Sequence, residues 1–204
     1  MNQFVQSSIL LLTLAACSDV EGDGHGHHHH EHEVITSVGL TFVSQDDGSE
    51  VTFTWADPED DGDPVIDDIV LTNGVDYDVA VTFSNDLEDP PEDVTPEIAD
   101  EADEHQIFFT GSAVDGPATS ANDDAIVEHT YADADAGGLP IGLDNAIATL
   151  ATGSGELKVT MRHMPPENGE PVKTAGMAEA VASGGFGAIG GANDIAITFD
   201  ITVQ

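Results

Sequence analysis

Short segments in which apolar and polar residues alternate recur along most of the chain, and turn signals separate them. A period of two places every second side chain on the same face of a β-strand. Turn-forming residues follow the first segment at Asp46–Ser49 and the third at Asn73-Gly74, which is a strong hairpin dipeptide. The segments predicted as strands are Val34–Val43, Val51–Trp55, Val65–Leu71, Tyr77–Phe83, Gln106–Thr110, Ala125–Tyr131, Ala146–Ala151, Glu156–His163 and Asp194–Val203.

One segment has a helical pattern instead. Thr95-Pro96-Glu97 has the order of an N-cap, a proline at the first helical position and an acidic first turn. Ile98, Ala102 and His105 follow at helical spacing, which predicts one short helix over 96–105. Many short strands with one short helix favour an all-β fold, an antiparallel β-sandwich of immunoglobulin-like or jelly-roll-like form.

The first 17 residues have the layout of a bacterial export signal. The apolar run Ile9–Leu14 is too short to span a bilayer as a helix, and Ala15-Ala16-Cys17 follows it. Leu14–Cys17 resembles the lipobox of bacterial lipoproteins, although no Lys or Arg precedes the run. The resemblance implies a signal peptide over 1–16, acylation of Cys17 and a lipid anchor in the outer membrane, in either leaflet. An ordinary signal peptide with a chance cysteine is the alternative.

A segment rich in histidine follows the predicted anchor. Residues 17–33 contain Val20 as their one large apolar side chain and cannot offset the entropy of ordering, which predicts a disordered arm before a single domain over 34–204. Imidazole is a good ligand for zinc, copper and nickel, and carboxylates can complete the shell. An engineered tag and a pH-responsive spacer are the alternatives. The predicted metal ligands of the arm are His25, His27, His28, His29, His30, Glu31, His32 and Glu33.

The composition is strongly acidic. The chain has 40 acidic residues against three basic ones, Lys158, Arg162 and Lys173, and a formal net charge of −37. Such a charge repels nucleic acid and anionic lipid surfaces and attracts cations, which excludes functions that need a basic patch. Solubility or a saline medium explains the charge equally well, so it does not by itself indicate metal binding.

Three histidines fall inside the predicted domain. His105, His129 and His163 each lie in a predicted strand or at its end, and His105 follows the acidic run 100–104. Two or three of them meeting on the sandwich would form a second metal site, whereas a lone strand histidine is more often a hydrogen-bonded neighbour.

An acidic loop follows the strand Val51–Trp55. Its oxygen-bearing residues and Gly62 match positions 1, 3, 5, 6 and 12 of a calcium loop, but Asp replaces the usual final Glu and a strand precedes the loop instead of a helix. A plain acidic turn is the alternative. The candidate calcium ligands are Asp57, Glu59, Asp61, Asp63 and Asp68.

Catalytic motifs have little support in the sequence. Gly185–Gly190 spells G-x-G-x-x-G, but a predicted strand follows it where the dinucleotide fingerprint requires a helix. Cys17 is the single cysteine and is assigned to lipid, and no G-x-S-x-G elbow is present. We therefore predict that the chain is not an enzyme.

Several segments together resemble small His-rich outer-membrane lipoproteins that are associated with metal handling and with TonB-dependent receptors. Besides the lipobox and its acidic follow-on, the resembling stretches are 30–36, 55–58, 101–109, 139–143, 157–163 and 193–204. The resemblance implies capture of a metal at the envelope. We expect the arm to collect zinc in preference to Cu²⁺ or Ni²⁺, and the domain to present the metal to an outer-membrane receptor. A calcium-stabilised structural or adhesive surface module is the alternative function.

Overall fold

The computed structural model describes residues 33–204, so the predicted signal peptide, Cys17 and His25–His32 lie outside the described residues. Twelve strands, two α-helices and one 3₁₀ turn, Phe186–Ala188, occur in this part of the chain. The helices are α1 (Thr95–Asp100) and α2 (Met177–Gly184). The strands are β1 (Ser37–Ser44), β2 (Glu50–Ala56), β3 (Val65–Ile66), β4 (Ile69–Leu71), β5 (Asp76–Asn85), β6 (Glu92–Asp93), β7 (His105–Thr110), β8 (Val114–Asp115), β9 (Val127–Tyr131), β10 (Asp144–Thr149), β11 (Gly153–His163) and β12 (Ala192–Val203).

The strands form two sheets in a sandwich-like arrangement, as predicted. The larger sheet has the order β3-β2-β1-β5-β10-β9-β8, with β6 paired to β5, and the smaller sheet has the order β4-β12-β11-β7. All pairings are antiparallel except the short contacts of β4 with β12 and of β8 with β9. The all-β fold class is therefore confirmed.

The inner faces of the two sheets share one apolar core. In β1 of the larger sheet, Val38, Leu40 and Phe42 alternate with more exposed residues and are fully buried. In β11 of the smaller sheet, Leu157 and Val159 belong to the same cluster. Burial of each such side chain stabilises the fold by about 1.5–3 kcal/mol. The core therefore fixes the register of β11 and, through it, the positions of the side chains at the end of the smaller sheet.

A second, smaller apolar cluster lies outside the main core. Phe108 of β7 packs there with Met164 and with Met177 and Val181 of α2. The sequence analysis did not assign α2, which is short and rich in Ala and Gly. Neither helix within residues 33–204 is long and apolar enough to cross a membrane.

Two boundaries differ from the sequence-based predictions. The helix predicted over 96–105 ends early, because Glu101–Glu104 form a turn and His105 joins the smaller sheet. The strand predicted over 65–71 is two strands in different sheets. Asp67 separates them, because its backbone N–H and its carboxylate bond to the Thr54 main chain at 2.9 Å.

Candidate metal centre

Two of the three predicted domain histidines face each other at one end of the smaller sheet. His105 begins β7, His163 ends β11, and the two residues are direct partners in the antiparallel register. Their imidazole rings are stacked, with centroids 4.6 Å apart and planes 13° apart, and both residues are buried. Each continues the inward-facing row of its strand, so the pair lies where the apolar core ends.

Two glutamates complete a group with metal-ligand spacing. Ligand atoms of Glu33, Glu101, His105 and His163 all lie within 4.8 Å of one another, and this group could hold a metal ion. Glu33 lies in the segment that leads into β1, and its Oε1 is 3.2 Å from His105 Nε2. Its other oxygen, Oε2, is buried and accepts no hydrogen bond from any residue that the structure describes. Buried polar atoms usually have a hydrogen-bond partner, so a buried carboxylate oxygen without one is a candidate ligand atom.

Two further carboxylates lie beside the imidazoles. Glu104 Oε2 is 3.5 Å from His163 Nε2, and Asp194 Oδ2 is 3.8 Å from His105 Nε2. Asp194 is the extra residue of a β-bulge, since Met161 pairs with Ile195 while Arg162 pairs with Asn193. Bulges often redirect a side chain next to a functional site. These two residues and the previous four are called the His/carboxylate cluster below.

The backbone sets the tautomer of His105. Its Nδ1 lies 3.1 Å from the carbonyl oxygen of Glu101. A carbonyl only accepts hydrogen bonds, so Nδ1 carries the proton in the neutral ring and the Nε2 lone pair points to the carboxylates. A hydrogen bond at the second nitrogen is the usual support of a metal-binding imidazole. The turn after α1 therefore supplies Glu101 as a candidate ligand and also orients His105.

The charges of Glu33 and His105 support each other. Burial lowers the pKa of His105, but the Glu33 carboxylate, the Glu101 carbonyl and Asp194 together outweigh burial, so the pKa is raised above its ordinary value. Burial likewise raises the pKa of Glu33, and the contact with His105 outweighs it, so that pKa is lowered. Each group therefore favours the charged form of the other. A metal ion at Nε2 would replace the proton of His105.

Lys173 and Arg162, two of the three basic residues in the chain, hold the loops around the cluster through hydrogen bonds. Lys173 is buried and donates to Ala102 O at 2.7 Å and to Asp135 Oδ2 at 2.9 Å, which holds the turn between α1 and β7. Arg162 donates to Gly190 O at 2.9 Å and to Asn193 Oδ1 at 2.7 Å, which holds the segment entering β12. The Gly185–Gly190 motif lies in that segment and includes the 3₁₀ turn.

His129, the third predicted domain histidine, does not join the cluster. Its Nε2 donates to Asn145 Oδ1 at 2.9 Å, and its ring stacks on Phe109 with centroids 4.4 Å apart. Burial lowers its pKa to about 4, although the bond to Asn145 opposes the shift. The candidate site of three histidines is therefore corrected to a pair, and His129 is a hydrogen-bonded core residue.

The candidate calcium ligands do not converge in the structure. The Asp57 carboxylate accepts hydrogen bonds from the backbone N–H groups of Asp61 and Gly62, at 3.2 and 2.9 Å. Asp68 follows β3, and none of the five candidates belongs to the one group with metal-ligand spacing found among the described residues. Asp57 thus stabilises the loop as a turn.

The sequence analysis found part of the cluster. His105 and His163 were two of the three histidines predicted for a second metal site, and Glu33 was predicted as a metal ligand of the arm, whereas the structure packs it against His105. The acidic run before His105 drew attention to 100–104 but did not single out Glu101 or Glu104. Asp194 was missed, because a bulge has no sequence signal of its own. His25–His32 and Glu31 lie outside the described residues.

Comparisons of the chain with protein-family models, with characterised proteins and with solved structures gave no match.

Proposed function

We propose that the chain is an envelope lipoprotein, anchored through Cys17, that binds a transition metal, with zinc as the preferred ion. The main support is that the buried imidazoles of His105 and His163 lie close to each other and to the carboxylates of Glu33 and Glu101. Imidazole nitrogen and carboxylate oxygen are the common ligands of Zn²⁺ in sites without cysteine. A stability role alone would not require two imidazoles and several carboxylates at the end of a core, where apolar residues pack at lower cost.

The arm and the cluster are adjacent in the chain. Six arm histidines precede Glu33, and Glu33 contacts His105. The arm would collect metal at exchangeable imidazole sites, and the cluster would hold it with more enclosed ligands. The net charge of −37 would raise the local cation concentration.

Transfer to a TonB-dependent outer-membrane receptor is the proposed next step. Support for it comes from the predicted anchor and from the sequence resemblance described above. Cross-linking in cells, followed by identification of the partner by mass spectrometry, tests this step separately from metal binding.

Zinc titration calorimetry on four forms of the mature chain tests the metal function. They are the wild type, an arm-silent variant (His25, His27, His28, His29, His30 and His32 all changed to Ala), a cluster variant (His105→Gln with His163→Gln), and the control His129→Gln. We expect the arm-silent variant to retain tight stoichiometric zinc binding, the cluster variant to lose it, and the control to match the wild type. Repeating the titration with Cu²⁺ and Ni²⁺ ranks the metals.

Absence of zinc binding in the wild type would overturn the metal function and favour the calcium-stabilised structural or adhesive module. Equal binding by the wild type and the cluster variant would place the metal in the arm alone.

A further inference from the structure

We propose that the His/carboxylate cluster binds two divalent metal ions side by side, each with its own imidazole. The inference rests on the metal-binding function proposed above and adds the number of ions and the division of the ligands between them.

The first argument is the orientation of the imidazole rings. A metal ion binds an imidazole nitrogen at about 2.1 Å, along a lone pair that lies in the ring plane. The planes of His105 and His163 are only 13° apart, and their centroids are 4.6 Å apart. The lone pairs of the two imidazoles therefore lie in nearly parallel planes. They cannot both point at a single ion that is close to both nitrogens. Two ions, one in each ring plane, would be separated by a distance comparable to the roughly 3.5–4 Å of known two-metal sites.

The second argument is the placement of the carboxylates. Two ligands of one ion cannot be more than about 4.4 Å apart if each bond is about 2.2 Å long. Asp194 Oδ2 is 3.8 Å from His105 Nε2, and Glu104 Oε2 is 3.5 Å from His163 Nε2, so each imidazole has a further carboxylate close enough to share an ion with it. Ligand atoms of Glu33 and Glu101 lie within 4.8 Å of both imidazoles. Carboxylates in such a position can bridge two ions.

The third argument is charge. The side chains of Asp194, Glu33 and Glu104 are 0%, 5% and 15% exposed, and Glu101 is half-buried. Buried charges are costly unless they are paired or coordinate a metal. With neutral imidazoles, two divalent ions match the summed charge of the four carboxylates, whereas one divalent ion matches half of it. Arg162 attracts Asp194, but its guanidinium also donates to Gly190 O and Asn193 Oδ1.

The ligand set restricts the metals. Each ion would have one imidazole nitrogen and several carboxylate oxygens, and the chain has no cysteine other than Cys17. Such a shell suits Zn²⁺, Mn²⁺ and Fe²⁺ and disfavours Cu⁺, which selects sulfur ligands.

The test uses the mature chain with the arm-silent substitutions, so that arm histidines do not contribute to the count. The bound Zn²⁺ is counted by native mass spectrometry, and the protein loaded with Mn²⁺ is examined by electron paramagnetic resonance, which detects exchange coupling between neighbouring ions. We expect two ions per chain and a coupled Mn²⁺ spectrum. Asp194→Asn and Glu104→Gln should each reduce the count to one and abolish the coupling, whereas Asp200→Asn and Glu128→Gln, at exposed positions on β12 and β9, should leave both unchanged.

The outcomes separate the two proposals. One ion per chain with an uncoupled Mn²⁺ spectrum would overturn the two-ion inference and leave the metal function intact. No bound ion in a folded arm-silent protein would overturn both the two-ion inference and the metal role of the cluster. Circular dichroism of each variant establishes that it is folded, and the conservative Glu33→Gln provides a second variant that should weaken both ions together.

Discussion

His105 and His163 are cross-strand partners in the β7–β11 pair, and their rings stack with centroids 4.6 Å apart at the point where the apolar core ends. The inward residues next to the pair are all large and apolar, Ile107 and Phe109 in β7 and Leu157, Val159 and Met161 in β11, and both rows change to histidine at this end of the sheet. Histidines at two paired strand positions place two imidazoles side by side on a scaffold whose register the core already fixes.

Zinc should stabilise the folded domain through this histidine pair. A ligand that binds only the folded state raises the free energy of unfolding by about 2.7 kcal/mol when its free concentration is about 100 times its dissociation constant. We expect this gain in the arm-silent variant and its loss after His105→Gln or His163→Gln, measured by denaturant unfolding with zinc and with chelator. His129→Gln is the matched control and should keep the gain. A zinc-dependent gain of equal size in the His105→Gln and His163→Gln proteins would contradict the assignment.

Lys173 should matter far more for stability than Lys158. Lys173 forms a buried ion pair with Asp135, whereas Lys158 and Glu156 form an exposed pair with side chains 47% and 51% exposed. Lys173→Met leaves the carboxylate of Asp135 buried without its cation, which should cost about 3–5 kcal/mol. Lys158→Met should cost about 1 kcal/mol or less. Equilibrium unfolding of both variants compares the two.

The double variant Lys173→Met with Asp135→Asn checks the explanation. It removes both charges and should recover part of the loss, because no buried charge is left unpaired. A double variant less stable than Lys173→Met alone would contradict this explanation and mean that the Asp135 carboxylate, which also accepts from the backbone N–H groups of Gly137 and Leu139, stabilises its loop without the lysine.

His129 should make the protein less stable in mild acid. Burial lowers its pKa to about 4 from the ordinary value of 6.5, so between these values the unfolded chain binds a proton that the folded chain does not. The contribution of His129 is therefore fully present above pH 6.5 and is lost as pH falls towards 4, by about 3 kcal/mol in total. Unfolding measured from pH 7 to pH 4 should show a shallower pH slope for His129→Gln than for the wild type. Glu128→Gln, at the exposed neighbouring position, should leave the slope unchanged, and equal slopes in His129→Gln and the wild type would contradict the assignment.

The all-β fold could be predicted from sequence because alternation and turn signals act locally. Val38, Leu40 and Phe42 show the principle, since their spacing alone places them on one face. The split of 65–71 between two sheets could not be predicted, because it depends on the contact of Asp67 with Thr54, which is distant in sequence. The helix beginning at Thr95 was found, but its end was placed too late because cross-strand pairing of His105 overrides the helical spacing.

The candidate site was predictable to the extent that its residue types are rare. Histidine is uncommon in strands, so His105 and His163 drew attention individually. Their contact depends on the register of β7 against β11, and the position of Asp194 depends on the bulge. The burial of Glu33 depends on the path of the chain into β1. All three are tertiary relationships, which no local pattern encodes.

Calcium should leave the stability of the domain unchanged. The Asp57 carboxylate is occupied by the N–H groups of Asp61 and Gly62, so the loop is already closed without a cation. Asp57→Asn should cost about 1–3 kcal/mol, because hydrogen bonds to a charged group are lost, and Asp63→Asn, at an exposed position of the same loop, should have little effect. Melting curves in millimolar-order calcium and in chelator test this. A calcium-dependent rise in the melting temperature that disappears in Asp57→Asn would support the calcium-stabilised surface module.

The anchor should depend on Cys17 alone, and the metal site should not depend on the anchor. Cys17→Ala removes the thiol that the lipobox resemblance assigns to acylation, and stable membrane binding requires more than one acyl chain. We expect the variant to be uncleaved or soluble and to carry no acyl label in cells fed a labelled fatty acid. Ser18→Ala keeps the cysteine and should remain labelled and in the membrane fraction.

Because the His/carboxylate cluster lies entirely within residues 33–204, purified soluble Cys17→Ala protein should bind zinc as the wild type does. A Cys17→Ala protein that still fractionates with membranes and still carries acyl label would show that the lipoprotein assignment is wrong.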